Sequence, residues 1–192
     1  MKHYDHNHHC PFEAYITNLG MYNDGELVGE WVAFPTSEGE LKRVFSRIGI
    51  GEEDKFGTVY EEFFITDYDC YVPELYNYLG EYEDLETLNK LAIAIEGLDQ
   101  YDYAKFCAAL ELEVITSLDD ILKIIDELNQ FELYENIKSY SDWGYHLVHE
   151  LGIFGNIDDV SRNELASYID YEQLGKDRSD GDITSFGYVV RY

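Results

Sequence analysis

The first third of the chain alternates apolar and polar positions in short runs. The segments Phe12 to Thr17 and Glu26 to Phe34 are rich in Tyr, Ile, Val, Trp and Phe, which are residue types that favour strands. Asn23-Asp24-Gly25 lies between them and is typical of a turn. The pattern predicts a β-hairpin with a long connection.

A short helix and a third strand are predicted next. Ser37 and Glu40 have the spacing of a capping box, and apolar residues recur at helical intervals up to Gly49. The apolar segment Tyr60 to Thr66 then predicts a strand. We therefore expect one unit of a small sheet and a helix over residues 12–69.

The middle of the chain changes to a helical period. Between Val72 and Leu112, apolar residues three and four positions apart predict two helices with one apolar stripe each. Ser117 with Asp120 has a second capping-box spacing and is followed by an apolar face that reaches Leu128. A third helix is predicted there.

The last part of the chain mixes both patterns. A short strand is predicted over Phe131 to Ile137, and helices over Ser141 to Leu151 and Ser161 to Tyr171. The tail Ile183 to Tyr192 is predicted as a final strand. Because strands and helices do not alternate as βαβ units, the pattern predicts an α+β fold rather than α/β.

Charge changes this picture more than any other property of the composition. The 192 residues carry 13 Lys plus Arg against 40 Asp plus Glu, a formal net charge of -27. This argues against direct nucleic-acid binding through a basic face. Disorder is not expected, because the chain has 18 Tyr, 10 Phe and 2 Trp among 45% hydrophobic residues.

Cysteine usage and hydropathy indicate a soluble protein of the cytoplasm. Cys10, Cys70 and Cys107 are too few and too scattered for a disulfide framework or a zinc site. The longest charge-free run, Ala14 to Asn23, is too short for a membrane helix or a secretory signal. The first 11 residues include His3, His6, His8 and His9, and we expect a disordered leader rather than a metal site.

The acidic residues are concentrated in the middle of the chain. Residues 61–135 hold 20 Asp plus Glu and only Lys90, Lys105 and Lys123, a net charge of -17. No Lys or Arg occurs between Glu61 and Asn89, so these carboxylates lack neighbouring partners in sequence. We predict an anionic partner-binding surface made of Glu61, Glu62, Asp67, Asp69, Glu74, Glu81, Glu83, Asp84, Glu86, Glu96, Asp99, Asp102, Glu111, Glu113, Asp119, Asp120 and Asp126.

Several functions could explain such a surface. An ordered calcium site is not favoured, because Asp67-Tyr68-Asp69 lacks the glycine of an EF-hand loop and Asp180-Gly181 has Lys176 at the first position. A salt-adapted or calcium-buffering protein and an acidic scaffold for a basic partner, such as a nucleoid protein, stay open as alternatives. Mimicry of a polyanion is favoured, because it predicts that the acidic residues are clustered. The 27 negative charges also correspond to roughly 46 Å of duplex DNA.

No catalytic or cofactor site is expected. His146, His149 and Glu150 do not form a complete metal-ligand set. Adjacent acid pairs such as Glu61-Glu62 and Asp119-Asp120 arise by chance among 40 carboxylates. The sequence predicts a binding protein rather than an enzyme.

Three stretches of the sequence resemble a known family. Ala14 to Gly20, Tyr22 to Gly29 and Trp31 are similar to the opening signature of the antirestriction protein ArdA family, Y-I-x-N-L-G-x-Y-N-x-G-x-L-x-G-x-W. Tyr145 to Ile157 resembles its antirestriction motif. Tyr168 to Tyr171, with Gly175, Lys176 and Asp177, resembles its closing signature. The similarity extends from Phe12 to Tyr192.

The resemblance implies a function and an architecture. Members are elongated acidic homodimers that imitate bent B-form DNA and occupy the DNA groove of type I restriction-modification enzymes in the cytoplasm. They are typically carried by conjugative plasmids or transposons. The implied domains are an N-terminal α+β unit (12–69), a helical acidic unit (70–112) and a C-terminal α+β dimerisation unit (113–192).

An apolar patch in the C-terminal unit is the predicted dimer interface. Residues 136–192 carry a net charge of only -5, so two such surfaces repel each other less than the middle segments would. Gly152 and Gly155 lie next to the patch and would allow a backbone to approach closely. Burial of the same side chains in the monomer core is the alternative. The patch consists of Trp143, Leu147, Val148, Leu151, Ile153 and Phe154.

Overall fold

The computed structural model describes residues 9–155, 164 and 166–192. Contacts divide the chain into two compact units. The first unit comprises Met1–Tyr103 with Val114–Asp126, and the second comprises Ala104–Glu113 with Glu127–Tyr192. Both contain helices and a small sheet, which confirms the α+β class. The three-domain arrangement stays a prediction.

The first unit is built on a three-stranded antiparallel sheet. Strands β1 (Phe12–Asn18), β2 (Gly29–Phe34) and β3 (Phe63–Cys70) lie in the order β2-β1-β3. The predicted hairpin is confirmed, and its connection includes the short helix α1 (Leu19–Asn23) and Gly25 at φ 90°. Alternate β1 residues are fully buried on the inner face. The third strand lies further along the chain than Tyr60 to Thr66 predicted.

Helix α2 (Glu38–Arg47) begins where the sequence predicted. Ser37 is its N-cap, and the Ser37 Oγ accepts a hydrogen bond from the Glu40 N–H at 3.1 Å. This bond satisfies one of the backbone donors that a helix leaves free at its first turn. The helix ends at Arg47, Ile48 is its C-cap, and Gly49 follows at φ 77°.

Three helices follow in the middle of the chain, each close to its predicted position. They are α3 (Leu85–Glu96), α4 (Gln100–Leu112) and α5 (Leu118–Asp126). Helices α3 and α5 pack together in the first unit through stripes of buried leucine and isoleucine. The prediction of one apolar stripe is wrong for α4, because six consecutive residues from Lys105 to Leu110 are buried.

The second unit contains a second antiparallel sheet. Strands β4 (Phe131–Tyr134), β5 (Asp182–Thr184) and β6 (Gly187–Arg191) lie in the order β4-β6-β5. The predicted single strand from Ile183 to Tyr192 is wrong, because the segment turns back on itself. The Thr184 Oγ1 accepts hydrogen bonds from the Phe186 and Gly187 N–H groups, and Gly187 has φ 143°. Together they close a hairpin.

Two helices pack against each other in this unit. Helix α6 (Tyr140–His149) confirms the helix predicted near Ser141, whereas α7 (Tyr171–Asp177) was not predicted. Of the predicted helix from Ser161 to Tyr171, residues 161–163 and 165 lie outside the described residues. Glu164 and Ala166 are helical, but Ser167 and Tyr168 form a turn, and Tyr171 begins α7. A core cluster lies between α6 and the sheet and consists of Ile137, Trp143, Leu147, Tyr188 and Val190.

Glycine allows the backbones of α6 and α7 to come into contact. A Cβ atom placed on Gly144 would overlap the Tyr171 carbonyl oxygen, and one placed on Gly175 would overlap the Tyr140 carbonyl oxygen. These two Cβ atoms would also lie 3.1 Å from the Gly175 N and 3.0 Å from the Gly144 N, respectively. Any side chain at either position would force the helices apart.

Candidate partner-binding surface

The structure places all the predicted carboxylates at or near the surface. None of the 17 is buried, and only Glu83, Asp102, Glu113 and Asp120 are partly covered. Glu111 and Glu113 belong to the second unit, whereas the other members belong to the first. Within the first unit they follow the outer strand β3, the 3₁₀ turn Leu75–Tyr78 and the ends of α3, α4 and α5.

A continuous part of this set has no ion pairs. Within the residues that the structure describes, no Lys, Arg or His forms a salt bridge with any of the eight carboxylates between Glu61 and Asp84. We call these eight the acidic segment. Unpaired surface charges of one sign repel one another, so their clustering costs folding free energy. The segment consists of Glu61, Glu62, Asp67, Asp69, Glu74, Glu81, Glu83 and Asp84.

Helix α2 shows the opposite arrangement. Arg47 forms ion pairs with Glu30 at 2.7 Å and with Glu40 at 2.9 Å. Hydrogen bonds from Arg47 hold the pKa values of both carboxyls below their usual range. Lys42 lowers the pKa of Glu38 in the same way, across a 2.6 Å pair. The acid of this helix is therefore largely neutralised locally, unlike that of the acidic segment.

Some of the predicted carboxylates also stabilise the ends of helices. The Asp84 Oδ2 accepts a hydrogen bond from the Thr87 N–H at 2.8 Å and caps α3. The Asp120 Oδ2 accepts bonds from the hydroxyl and N–H of Thr116 and from the N–H of Ser117, at 2.8 to 3.0 Å. These bonds, above all that from the Thr116 hydroxyl, lower the pKa of Asp120. Such residues have a structural role besides their charge.

Other members of the set have partners of their own. Glu86 pairs with Lys90 at 2.8 Å, and Glu113 pairs with Arg191 at 2.6 Å. Glu111 accepts hydrogen bonds from the N–H and hydroxyl groups of Ser185. These carboxylates contribute less free negative charge than the acidic segment does.

The outer face of the first sheet carries an aromatic groove that the sequence analysis missed. Trp31, Tyr15 and Asp67 are cross-strand neighbours on β2, β1 and β3. The groove encloses about 510 Å³ and is lined by Tyr15, Tyr22, Leu27, Trp31, Phe64, Thr66, Asp67 and Glu81. The sequence signal for this groove was the alternation of apolar and polar positions in β1 and β2. The pairing of Tyr15 with Trp31 across the two strands is seen only in the structure.

The predicted dimer patch separates into two groups. Trp143, Leu147 and Val148 are at most 6% exposed and lie inside the chain, because the indole of Trp143 stacks on Tyr188 with ring centroids 4.2 Å apart. These three side chains belong to the monomer core, which corrects their assignment to the contact surface. The exposed group consists of Leu151, Ile153 and Phe154.

The histidines of α6 form aromatic contacts. His149 stacks on Tyr145 with centroids 4.0 Å apart, and its Nε2 lies 2.9 Å from the Tyr171 hydroxyl. His146 stacks on Trp143. No group of three or more metal-ligating side chains is found among the described residues, and none of the described helices could cross a membrane.

Comparison with known proteins identifies the family of this chain. The model of the antirestriction protein (ArdA) family matches residues 14–190, which confirms the resemblance seen in the sequence. A comparison with individual curated proteins finds no significant match. Because the match covers nearly the whole chain, this protein belongs to the ArdA family of antirestriction proteins.

Proposed function

We propose that this protein blocks type I restriction-modification enzymes by occupying their DNA-binding surface. The observation that carries the proposal is the acidic segment, whose eight exposed or partly exposed carboxylates have no ion pairs in the described part of the chain. Family membership supplies the antirestriction activity. The action is binding alone, in the cytoplasm, without catalysis, metal or cofactor.

The physical argument is electrostatic complementarity. An enzyme that binds duplex DNA presents cationic side chains to phosphates, and those side chains attract any ordered array of negative charges of similar density. The same array repels DNA itself. The charge is distributed over many carboxylates, so each one contributes little to binding, in the range of exposed ion pairs.

We further propose that two copies pair through the C-terminal unit. Leu151, Ile153 and Phe154 are 56%, 40% and 50% exposed, and apolar side chains exposed together favour association. The contact would involve the second unit, whereas the acidic segment belongs to the first. The net charge of -5 over residues 136–192 keeps the repulsion low.

Competition for DNA tests the function. The purified protein should displace a labelled duplex from a type I enzyme at micromolar concentration, with weaker displacement as salt rises. It should not bind the duplex itself. Direct DNA binding, or unchanged occupancy of the enzyme by DNA, would refute the proposal. A calcium titration of the same sample tests the buffering alternative, which predicts saturable binding.

A charge variant tests the mechanism. Four carboxylates of the acidic segment accept no side-chain hydrogen bond from the residues that the structure describes: Glu61, Glu62, Glu81 and Glu83. Changing these four to Gln should weaken displacement at least ~10-fold, equivalent to about 1.4 kcal/mol. A control with the same charge change at Glu26, Glu52, Glu53 and Glu150, which are exposed carboxylates outside the segment, should retain more activity. Equal losses in both variants would show that net charge, and not its placement, determines inhibition.

Sedimentation tests the pairing. Sedimentation of the native chain should give a molecular mass of about 45 kDa, twice the chain mass of 22.4 kDa. Leu151→Asp or Phe154→Asp should give monomers, because a charge in an apolar contact is strongly unfavourable. Val114→Asp is the matched control, since Val114 is exposed and apolar but belongs to the first unit. A native monomer, or a dimer that survives both changes, would refute this interface.

A further inference from the structure

Two pairs of aromatic rings form the walls of the groove on the outer face of the first sheet. Tyr15 and Trp31 meet edge to face with centroids 5.3 Å apart, and Tyr22 and Phe64 meet edge to face at 5.1 Å. Trp31 is 44% exposed and Tyr22 is 49% exposed. Large apolar rings that remain this accessible on a sheet face are typical of a binding surface.

The local backbone keeps the groove open. A Cβ atom on Gly29 would lie 2.6 Å from the Tyr15 Cε1 and 2.8 Å from the Ile16 carbonyl oxygen. Glycine at this position therefore allows the Tyr15 ring to lie across β2. Tyr15, Tyr22, Leu27, Gly29 and Trp31 all belong to the opening stretch that resembles the family signature. The exposed members of that stretch have no role in the core.

The charges around the groove are all negative. Asp67 lies beside Tyr15 in the register of β1 and β3. Glu81 is held next to β3, because its carbonyl oxygen accepts a hydrogen bond from the Ile65 N–H at 2.8 Å. Among the described residues, no cationic side chain lines the groove. Aromatic faces combined with carboxylates form the environment that favours a guanidinium group, which stacks on rings and donates to carboxylates.

We propose that this groove binds an arginine side chain of the protein partner, as a discrete anchor within the otherwise diffuse acidic surface. The inference rests on the proposed function in identifying that partner as the type I enzyme. A nucleobase would also stack on the rings, but the phosphates attached to it are repelled by Asp67 and Glu81. The volume of about 510 Å³ lies within the range of pockets for small groups.

Nuclear magnetic resonance tests the groove with a defined probe. Titration of the full chain with N-acetyl-arginine methylamide should give saturable shifts of the Trp31 indole N–H, and the indole of buried Trp143 serves as an internal reference. The citrulline analogue has nearly the same shape without the charge and should bind at least ~10-fold more weakly. Asp67→Asn with Glu81→Gln should reduce the difference between the probes to the part that the aromatic rings contribute. Equal shifts from both probes, or none, would overturn the inference.

The DNA competition assay tests the groove in function. Trp31→Ala should weaken displacement of DNA from the enzyme at least ~10-fold, whereas Tyr76→Ala, an exposed aromatic residue of the same unit outside the groove, should change it less than about twofold. Equal effects of the two variants would overturn the inference and leave the proposed function standing. A change in sedimentation on Trp31→Ala would overturn it too, and would assign the groove to a second copy instead.

The two experiments separate the inference from the function on which it rests. If the wild-type chain does not displace DNA, the proposed function fails. The arginine titration still reports on the groove, because it does not involve the enzyme.

Discussion

Repulsion between a carboxylate of the acidic segment and its neighbour on β1 should be measurable at one pair of residues. Glu13 on β1 and Asp69 on β3 are directly opposed in the antiparallel register, and directly opposed like charges destabilise a sheet. We expect Glu13→Gln to stabilise the first unit. The change keeps the size of the side chain and leaves the hydrogen bond from the Tyr71 hydroxyl to the Asp69 Oδ2, at 2.9 Å, in place.

The magnitude follows from the register. Side chains opposed in this way have Cβ atoms roughly 5 Å apart, and two unit charges about 5.5 Å apart repel by about 0.8 kcal/mol in water. Glu13→Gln should therefore raise the opening free energy of the sheet by about 0.8 kcal/mol at low salt. At 1 M salt the gain should largely disappear, because the Debye length falls to about 3 Å.

Hydrogen exchange measured on peptides from β1 and β3 is the suitable assay, because it reports on the first unit separately from the second. A double-mutant cycle isolates the pair: Glu13→Gln should give no gain when Asp69→Asn is already present. Glu26→Gln, an exposed change of equal charge, is the control for net charge. Destabilisation by Glu13→Gln, or a gain equal to that of the control, would refute the reasoning.

Three further predictions concern the packing of α6 against α7, the N-cap of α3 and the reactivity of the Cys70 thiol. Gly175→Ala should destabilise the second unit by about 3 kcal/mol or more, measured by urea unfolding, because its methyl group would overlap the Tyr140 carbonyl oxygen. Asp84→Ala should cost about 1 kcal/mol in hydrogen exchange of α3, whereas Asp84→Asn should cost less than half of that, because Asn retains the cap. Burial raises the pKa of the Cys70 thiol to about 11, so only about one thiol in a thousand is ionised at pH 8. Its reaction with a disulfide reagent should be slow, and should accelerate about tenfold per pH unit up to that pKa.

A specific result would contradict each of these three predictions. A stable Gly175→Ala variant would show that α6 and α7 are not in backbone contact. Equal costs for the two Asp84 variants would show that the charge matters there and the cap does not. Rapid modification of Cys70 in the folded chain at neutral pH would show that its surroundings are open to water.

Local sequence signals predicted much of the fold correctly. The N-cap at Ser37 and the turn around Gly25 depend on short-range chemistry, and both occur where they were expected. The Glu40 carboxylate binds Arg43 and Arg47 rather than completing the capping box. The hairpin before Gly187 was missed, because its turn is closed by a threonine hydroxyl rather than by a familiar turn dipeptide. The contact between Gly144 and Gly175 depends on residues far apart in sequence, and no periodicity reveals it.

The candidate site, like the fold, could be predicted only in part from the sequence. Exposure of the acidic residues was predictable, because carboxylates are rarely buried without partners. Their hydrogen-bonding roles were not all predictable, since only the structure shows which of them, such as Asp84, cap a helix. The sequence also could not separate Trp143 from Phe154. Both are apolar residues near a helix end, and only tertiary packing places one in the core and the other at the surface.

The two tryptophans give the protein a pair of built-in fluorescent reporters. Trp31 lies on the sheet of the first unit and is 44% exposed, whereas Trp143 lies in the core of the second unit and is 5% exposed. Emission from Trp143 should therefore be blue-shifted and shielded from acrylamide, and emission from Trp31 should be red-shifted and readily quenched. With Trp31→Phe and Trp143→Phe in turn, one spectrometer can follow the melting of each unit separately and show whether the two unfold as one cooperative body.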